Sequence, residues 1–203
     1  SLSLFNKSYN KINSILDSLE IQKVNGIFLD LGLSSFQLDS KDRGFSYKTD
    51  CELDMRFDRS QKKSAFNIVN NMPEKMLADL IYYNSDEKRS RAIARKIISM
   101  RPINKVFDLV EAIKKSTPPF KRDKTISRVF QAVRISVNNE LEKLDHFLST
   151  FYPRLLNGGR IVIISFHSLE DRKVKQAFKL LKSKGKVQIL TKKPLIPTET
   201  EKI

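Results

Sequence analysis

Several residue types are scarce in this chain of 203 residues, which has one cysteine, two histidines, six glycines and no tryptophan. The lone Cys51 excludes an internal disulfide framework and a cysteine-rich zinc site, and it is typical of a reducing compartment. No apolar run approaches the roughly 18 residues that cross a membrane, and the first residues lack the apolar core of a signal peptide. We therefore expect a soluble, intracellular protein without a membrane partner, cytoplasmic or, in a eukaryote, organellar.

Acidic side chains are outnumbered, because 23 Asp and Glu stand against 38 Lys and Arg and leave a net charge of +15 at pH 7. This excess is larger than solubility requires and favours an anionic partner. Charge alone does not separate RNA, DNA and a membrane surface, and a lysine-rich proteome would also raise it. The apolar content of 40% is enough for one ordinary domain, or for a core with one large insertion.

Hydrophobic periodicity divides the chain into three regions. Residues 1–39 contain a helical pattern followed by the apolar run "KVNGIFLDLG", of the kind that a buried parallel strand shows. Residues 40–136 show one helical pattern after another and many basic side chains. From residue 137 an amphipathic helix with apolar positions as far as Leu155 precedes a strand in "NGGRIVIISF", a helix and a short strand, "KVQILTK", at 186–192.

This order of elements predicts a doubly wound α/β domain, built from residues 1–39 and 137–203 and interrupted by a helical insertion at 40–136. In open parallel sheets, ligands bind outside the carboxyl ends of the strands. Asp30 ends one predicted strand and His167 follows another, so the two meet if the strands are neighbours. Asp30 is then either a pocket carboxylate or a turn residue that caps the next loop, and His167 is either a pocket group or a buried, hydrogen-bonded ring.

Three stretches are long and distinctive: "GIFLDLGLSSFQLDSKDRGFSYKTDCELDMRFD" (26–58), "FQAVRISVNNELEKLDHFL" (130–148) and "GGRIVIISFHSLEDRKVKQAF" (158–178). They resemble the bacterial 16S ribosomal RNA cytosine-N4 methyltransferases, the family long called MraW. The resemblance implies a class I, Rossmann-like fold that uses S-adenosyl-L-methionine (SAM), with an inserted helical domain that helps to hold RNA. It also implies methylation of N4 of a cytosine in the decoding region of small-subunit ribosomal RNA.

The same resemblance implies the cofactor residues. Asp30 and Gln37 match two residues of the family's "DLGxSSxQL" motif that contact SAM. The family's "GNF" aromatic also contacts SAM, but counting back from Gly26 reaches Ser8, so either the adjacent Tyr9 substitutes or the adenine contact is weaker. The family's glycine-rich loop and its terminal "NPRSRSAKLR" have no counterpart here. We therefore expect an incomplete chain that binds SAM poorly or not at all and whose sheet lacks its first strands and its last.

Methyl transfer to cytosine needs a group that accepts from the exocyclic amine, because the lone pair of that amine is delocalised into the ring. We assign this part of catalysis to Asn138 and His167. Ser168 and Asp171 have the spacing of a helix-capping pair. Cys51 is expected to pack rather than act as a nucleophile, since attack by an amine needs no covalent adduct with the ring.

Two groups of residues are candidates for RNA contacts. The segment "RGFSY" offers Arg43, Phe45 and Tyr47 for stacking on an unpaired base, or its aromatic rings anchor a turn to the core. Arg91 and Arg95 lie at helical spacing in "EKRSRAIARK", where they would hold phosphates or form an ordinary solvated face.

Two other functions compete with the methyltransferase. One is a non-catalytic RNA-binding or ribosome-assembly factor that kept the fold, which the missing glycine-rich loop would favour. The other is a DNA amino-methyltransferase, although such enzymes usually carry a "PPY"-type motif where this chain has "LGLSS". The expected function is SAM-dependent methylation of ribosomal RNA.

Overall fold

The computed structural model describes residues 2–191 and 193–201. Within them the helices are α1 (Ile12–Ser18), α2 (Ser35–Asp39), α3 (Ala65–Asn71), α4 (Glu74–Ser85), α5 (Ser90–Ser99), α6 (Val106–Lys115), α7 (Arg122–Asn138), α8 (Glu140–Thr150) and α9 (Ser168–Ser183). The strands are β1 (Val24–Asp30) and β2 (Leu155–Ile164). None of the described helices is long and apolar enough to span a bilayer.

The two strands are hydrogen-bonded neighbours and run parallel, which confirms the α/β class. The register is unbroken from Gly26 opposite Arg160 to Asp30 opposite Ile164. One further bond extends the pairing, because the backbone N–H of Leu31 donates to the carbonyl of Ile164 at 3.1 Å. Parallel strands end at the same edge of a sheet, so the residues that follow β1 and β2 start from adjacent positions.

Each strand has a covered and an open face. Side chains alternate along a strand, and Ile27 and Leu29 of β1 are buried while Phe28 between them is 66% exposed. The buried side packs with Phe147 of α8 and with Phe151 directly after it, and these two rings stack 5.5 Å apart. This core belongs to a compact unit formed by the chain up to Leu31 and from Leu144 onward.

The second compact unit is Gly32–Lys143 and contains α2 to α7 together with an irregular segment between α2 and α3. Its core is filled by apolar side chains that recur every four residues along α4, α5 and α7, as the helical periodicity predicts. The pairs are Leu77 and Ile81, Ile93 and Ile97, and Val129 and Val133, all with an exposed fraction of 0%. A capping box between Ser64 and Asn67 begins α3.

Three details differ from the sequence-based expectation. Residues 186–191 of "KVQILTK" form no strand, because no described segment lies beside them to pair with, and Lys192 is outside the described residues. Leu155 begins β2 instead of continuing α8, which ends at Thr150. The compact units divide at Leu31 and Leu144, whereas the expected domain boundaries, 39/40 and 136/137, both fall inside the helical unit.

The glycines of "NGGR" lie within β2 instead of preceding it. The register shifts near the start of β1, where β2 bulges around Gly158 and Gly159. Gly158 has a φ of +79°, a conformation that side chains rarely adopt. A Cβ on Gly159 would lie 2.9 Å from the carbonyl oxygens of both Asn25 and Leu156. The bulge therefore requires glycine at 159 for close packing of backbone.

Gly159→Ala should lower the free energy of unfolding by about 1–3 kcal/mol, because two backbone oxygens would have to move away from the new methyl group. Urea denaturation of the chain measures this loss. Gly26→Ala is the control, since it lies in the same strand pair without a positive φ and its added Cβ would make only an ordinary contact, 3.7 Å from the carbonyl oxygen of Arg160. Equal losses in the two variants would show that close packing at the bulge contributes nothing.

Candidate functional site

Asp30 is the last residue of β1 and lies at the carboxyl edge of the strand pair. It alternates onto the same face as the exposed Phe28, away from the packed core. Its carboxylate is exposed and makes no hydrogen bond or ion pair with any described residue. Of the two possible roles of Asp30, a ligand-facing carboxylate agrees with this geometry, whereas a turn cap would need backbone donors.

His167 lies at the same edge, three residues beyond Ile164, and is the N-cap of α9. Its Nδ1 accepts from the backbone N–H of Glu170 at 3.3 Å. The neutral ring therefore carries its proton on Nε2, which is buried 3.3 Å from Oε1 of Glu170 without a well-aligned hydrogen bond. The other oxygen of Glu170 accepts from the N–H of Phe166 at 2.9 Å. His167 and Glu170 thus brace the turn from β2 into α9.

The expected capping pair of Ser168 and Asp171 is wrong by one residue. The chain enters α9 one position earlier, so the ring of His167 takes the cap and Ser168 is exposed in the first turn. Asp171 instead accepts from Nζ of Lys175 at 2.7 Å along the helix. Glutamate at the third helical position is the usual partner of a cap, which is the pattern that could have identified Glu170.

Two other cofactor candidates lie in local structures of their own. Gln37 forms a reciprocal capping box with Ser34, in which the Ser34 N–H donates to Oε1 of Gln37 at 3.1 Å, and this leaves the Gln37 amide N–H₂ available. Ser8 precedes a 3-10 turn and makes no side-chain cap bond. The neighbouring Tyr9 packs its ring edge-on against Phe147 at 5.8 Å, so it contributes to the core of its unit. SAM contacts by Gln37 and Ser8 stay predictions.

Arg43, Phe45 and Tyr47 do not present a stacking surface. Phe45 is 6% exposed in the helical core, and the ring of Tyr47 packs edge-on against Phe130 at 5.7 Å. The guanidinium of Arg43 lies 5.6 Å from the Phe45 ring and donates to the carbonyl of Phe57 at 3.3 Å. This geometry agrees with the alternative in which these side chains anchor the loop, and RNA contacts by them stay predictions.

Asn138 is 1% exposed and uses its whole amide within the helical unit. Its Nδ2 donates to the carbonyls of Met55 at 2.8 Å and Arg134 at 3.0 Å, and its Oδ1 accepts from the N–H of Phe57 at 2.7 Å. Met55 has a φ of +58°, which is costly for a side chain of this size. Asn138 thus holds a strained segment in place, and direct contact with a substrate stays a prediction.

Cys51 is half-buried, and burial raises the pKa of its thiol. A raised pKa leaves little thiolate at neutral pH, and the thiolate is the nucleophilic form. The backbone carbonyl of Cys51 accepts from the N–H of Val106 at 2.9 Å, which ties this segment to the start of α6. This environment agrees with a packing residue.

Arg91 and Arg95 are exposed on α5. Nε of Arg95 lies 3.6 Å from Oε1 of Glu74, an exposed pair that contributes little to stability. The structure adds what spacing did not reveal, because Arg95 faces basic residues of α6 and α7 across a cleft, whereas Arg91 does not line it. RNA contacts by both arginines stay predictions.

Phe166 is an exposed aromatic residue that the motif reading passed over. It lies between Ser165 and His167 at the carboxyl edge and is 65% exposed. In the sequence, Phe166 follows directly on an apolar strand pattern, which gave no sign that its ring would be accessible. The ring lies beyond the strand because β2 ends at Ile164.

Two features characterise the chain. One is a pair of parallel strands with an exposed carboxylate at its carboxyl edge, and the other is a basic helical unit. The model of the MraW methylase family matches residues 1–203, the whole sequence. The chain belongs to the MraW methylase family. Members of this family have the class I methyltransferase fold and use SAM as their cofactor, and both apply to this chain.

Curated relatives agree with the family. Ribosomal RNA small subunit methyltransferase H of Kosmotoga olearia is 48% identical over 207 residues, covering 99% of this chain and 69% of the relative. The protein of that name from Thermotoga neapolitana is 47% identical over 206 residues, covering 98% and 68%. The one from Crocosphaera subtropica is 48% identical over 187 residues, covering 90% and 58%. Part of each relative therefore has no equivalent in the sequence of this chain.

The residues present fit one end of the cofactor. Asp30 offers an unpartnered acceptor for the hydroxyl or amine groups of SAM at the edge where α/β sheets bind ligands. Gln37 belongs to the other compact unit and has an amide N–H₂ that its capping role leaves unused, and its contact with SAM stays a prediction. None of the described glycines forms a glycine-rich loop directly after a strand, so a cradle for the methionine end is not seen among these residues.

Asp30→Ala should weaken SAM binding by about 1.5–3 kcal/mol, the range for a charge-assisted hydrogen bond. Equilibrium dialysis with labelled SAM measures this even when binding is weak. Asp79→Ala is the control, because it removes an equally exposed carboxylate on α4 that makes no ion pair with the described residues. Equal affinities for the parent and Asp30→Ala would remove Asp30 from the cofactor site.

His167→Ala should lower the free energy of unfolding by about 1 kcal/mol through loss of the cap, and His167→Asn should recover most of it, because asparagine is a favoured N-cap. Ser168→Ala should change little, since its hydroxyl makes no cap bond. Urea denaturation of the three variants decides this. If His167→Asn is as unstable as His167→Ala, then packing of the ring, not capping, explains its contribution.

Proposed function

We propose that this chain acts as a SAM-dependent methyltransferase on small-subunit ribosomal RNA and that its product is N4-methylcytosine in the decoding region. The observation that carries the proposal is the parallel pairing that sets the free carboxylate of Asp30 beside the segment leading to His167, in a chain that belongs to a methylase family. Relatives named ribosomal RNA small subunit methyltransferase H support the substrate class. In bacteria, ribosomal RNA lies in the cytoplasm, so the cytoplasm is the compartment that this proposal implies.

The exocyclic amine of cytosine is a weak nucleophile, so the protein must hold it in line and favour a tetrahedral nitrogen. SAM supplies an electrophilic methyl group when it is bound. Asp30 would bind the hydroxyl or amine groups of that cofactor, because its exposed carboxylate ends β1 at the carboxyl edge. Phe166 offers an exposed ring at the same edge on which an unpaired base can stack.

We assign positioning roles to Asn138 and His167. Each affects turnover through the segment of backbone that it holds in place. His167 fixes the turn that carries Phe166, because its ring and Glu170 bind the backbone on both sides of that turn. Asn138 fixes the segment from Met55 to Phe57 through two hydrogen bonds, one to Met55 and one to Phe57. Substitution of either should therefore reduce turnover more than affinity for SAM.

Incubation of the chain with SAM and undermethylated small subunits should yield N4-methylcytosine, identified by mass spectrometry of the digested RNA. Cys51→Ala should retain this activity within about twofold, because methylation of an exocyclic amine needs no thiolate adduct. The raised pKa of the Cys51 thiol points the same way.

Methylation at C5 of cytosine would contradict the proposal, because that chemistry requires a nucleophile that attacks the ring. Measurable SAM binding without transfer to RNA would also contradict it and would favour the assembly-factor function. A reaction in which Asp30→Ala replaces the parent chain controls for methylation by contaminating enzymes.

A further inference from the structure

A cleft of about 680 Å³ opens in the helical unit between α5, the last turn of α6 and the first turn of α7. Six of the residues that line it are basic, namely Arg89, Arg95, Lys96, Lys114, Lys115 and Arg122. None of the described lining residues is acidic. The sequence placed these six residues in three separate basic clusters, and the packing of α5 with α6 and α7 brings them around one opening.

Most of this charge has no neighbouring counter-charge. Nε of Arg95 lies 3.6 Å from Oε1 of Glu74, and Nζ of Lys115 lies 3.0 Å from Oε1 of Glu111 on its own helix. The remaining four cations make no ion pair with any residue that the structure describes. Like charges held close together repel, so an anion in the cleft would be bound with favourable electrostatics.

Two of the guanidinium groups are already held in position. Nε and Nη2 of Arg89 donate to the carbonyl of Ser116 at 3.1 and 2.8 Å, and Nε of Arg122 donates to the carbonyl of Thr117 at 3.3 Å. These bonds fix both side chains and leave other N–H groups of each fork for a ligand. Arginine forks match phosphate oxygens in geometry and in charge.

The wall of the cleft also contains a polar atom without a partner. Thr117 is 5% exposed, and its Oγ1 makes no hydrogen bond within the described part of the chain. Buried hydroxyl groups are nearly always hydrogen-bonded, so this one marks a place where a bound group can supply the missing bond.

We propose that this cleft binds successive phosphates of the RNA backbone. The six cations belong to three elements, α5 with its N-cap, the last turn of α6 and the first turn of α7, so their charge is spread around the opening. A chain of phosphates therefore fits the spread of charge better than a single small anion. Contacts of this type hold and orient RNA without reading its sequence. The inference rests on the proposed function, in which ribosomal RNA is the substrate.

The test compares two double variants with the same loss of charge. Lys96→Gln with Lys114→Gln removes two unpaired lysines from the cleft. Lys62→Gln with Lys75→Gln removes two exposed lysines of the same unit that do not line it. Binding of a short fluorescent RNA from the small subunit is followed by anisotropy over a range of salt concentrations, and circular dichroism checks the fold of each variant.

The cleft variant should bind the RNA about tenfold more weakly than the control variant. The slope of log K against log salt should become less steep by about 1.4, because roughly 0.7 is lost for each phosphate contact to a single strand. Equal weakening in the two double variants would overturn the proposal and indicate diffuse attraction. The proposal also fails if the cleft variant loses as much affinity for an RNA analogue with an uncharged methylphosphonate backbone.

Methyl transfer by the same proteins separates this inference from the proposed function. If the parent chain binds RNA through the cleft but never methylates it, the cleft stands and the enzymatic proposal fails. If the parent chain methylates RNA while the cleft and control variants bind it equally, only the cleft proposal fails.

Discussion

The parallel pairing of β1 with β2 is the constraint on which the candidate site depends. Its unbroken register brings Asp30 opposite Ile164 and so starts both following segments from one edge. The pair is anchored on its inner face, where Ile27 and Leu29 pack with α8. A one-residue slip would turn those side chains outward and would direct Asp30 into the core, so the position of the carboxylate and the stability of the unit have the same cause.

The helical unit holds an irregular segment, residues 55–57, in place among its helices. Asn138 and Arg43 bind backbone groups of residues 55–57, and Phe45 packs its ring 5.6 Å from that of Phe57. A buried amide that is fully hydrogen-bonded, as that of Asn138 is, specifies one conformation, because any other leaves it unpaired. Residues that motif reading assigned to catalysis or RNA contact thus form an internal brace, and the basic cleft is built on the helices around it.

Sequence periodicity was sufficient for β1 and for the helices of the insertion, since each depends on a local apolar pattern, but it left open whether the two strands are neighbours. It failed where tertiary packing chooses between two local possibilities. The cap of α9 moved from Ser168 to His167 because Glu170 can bind the turn only from that register. Tyr47 turned inward because Phe130 offers an edge-on contact. Basic clusters far apart in sequence gave no sign that they surround a single cleft.

The central claim is that the carboxyl edge of β1 and β2 binds the cofactor. The most direct test is titration of the isotope-labelled chain with S-adenosyl-L-homocysteine, followed through backbone amide chemical shifts, which detect even weak binding. The claim predicts that the largest shifts occur at Leu31 and at Ser165 and Phe166, where the two strands end. Shifts that are largest in the basic cleft of α5, or that leave these three amides unmoved at saturation, would contradict it.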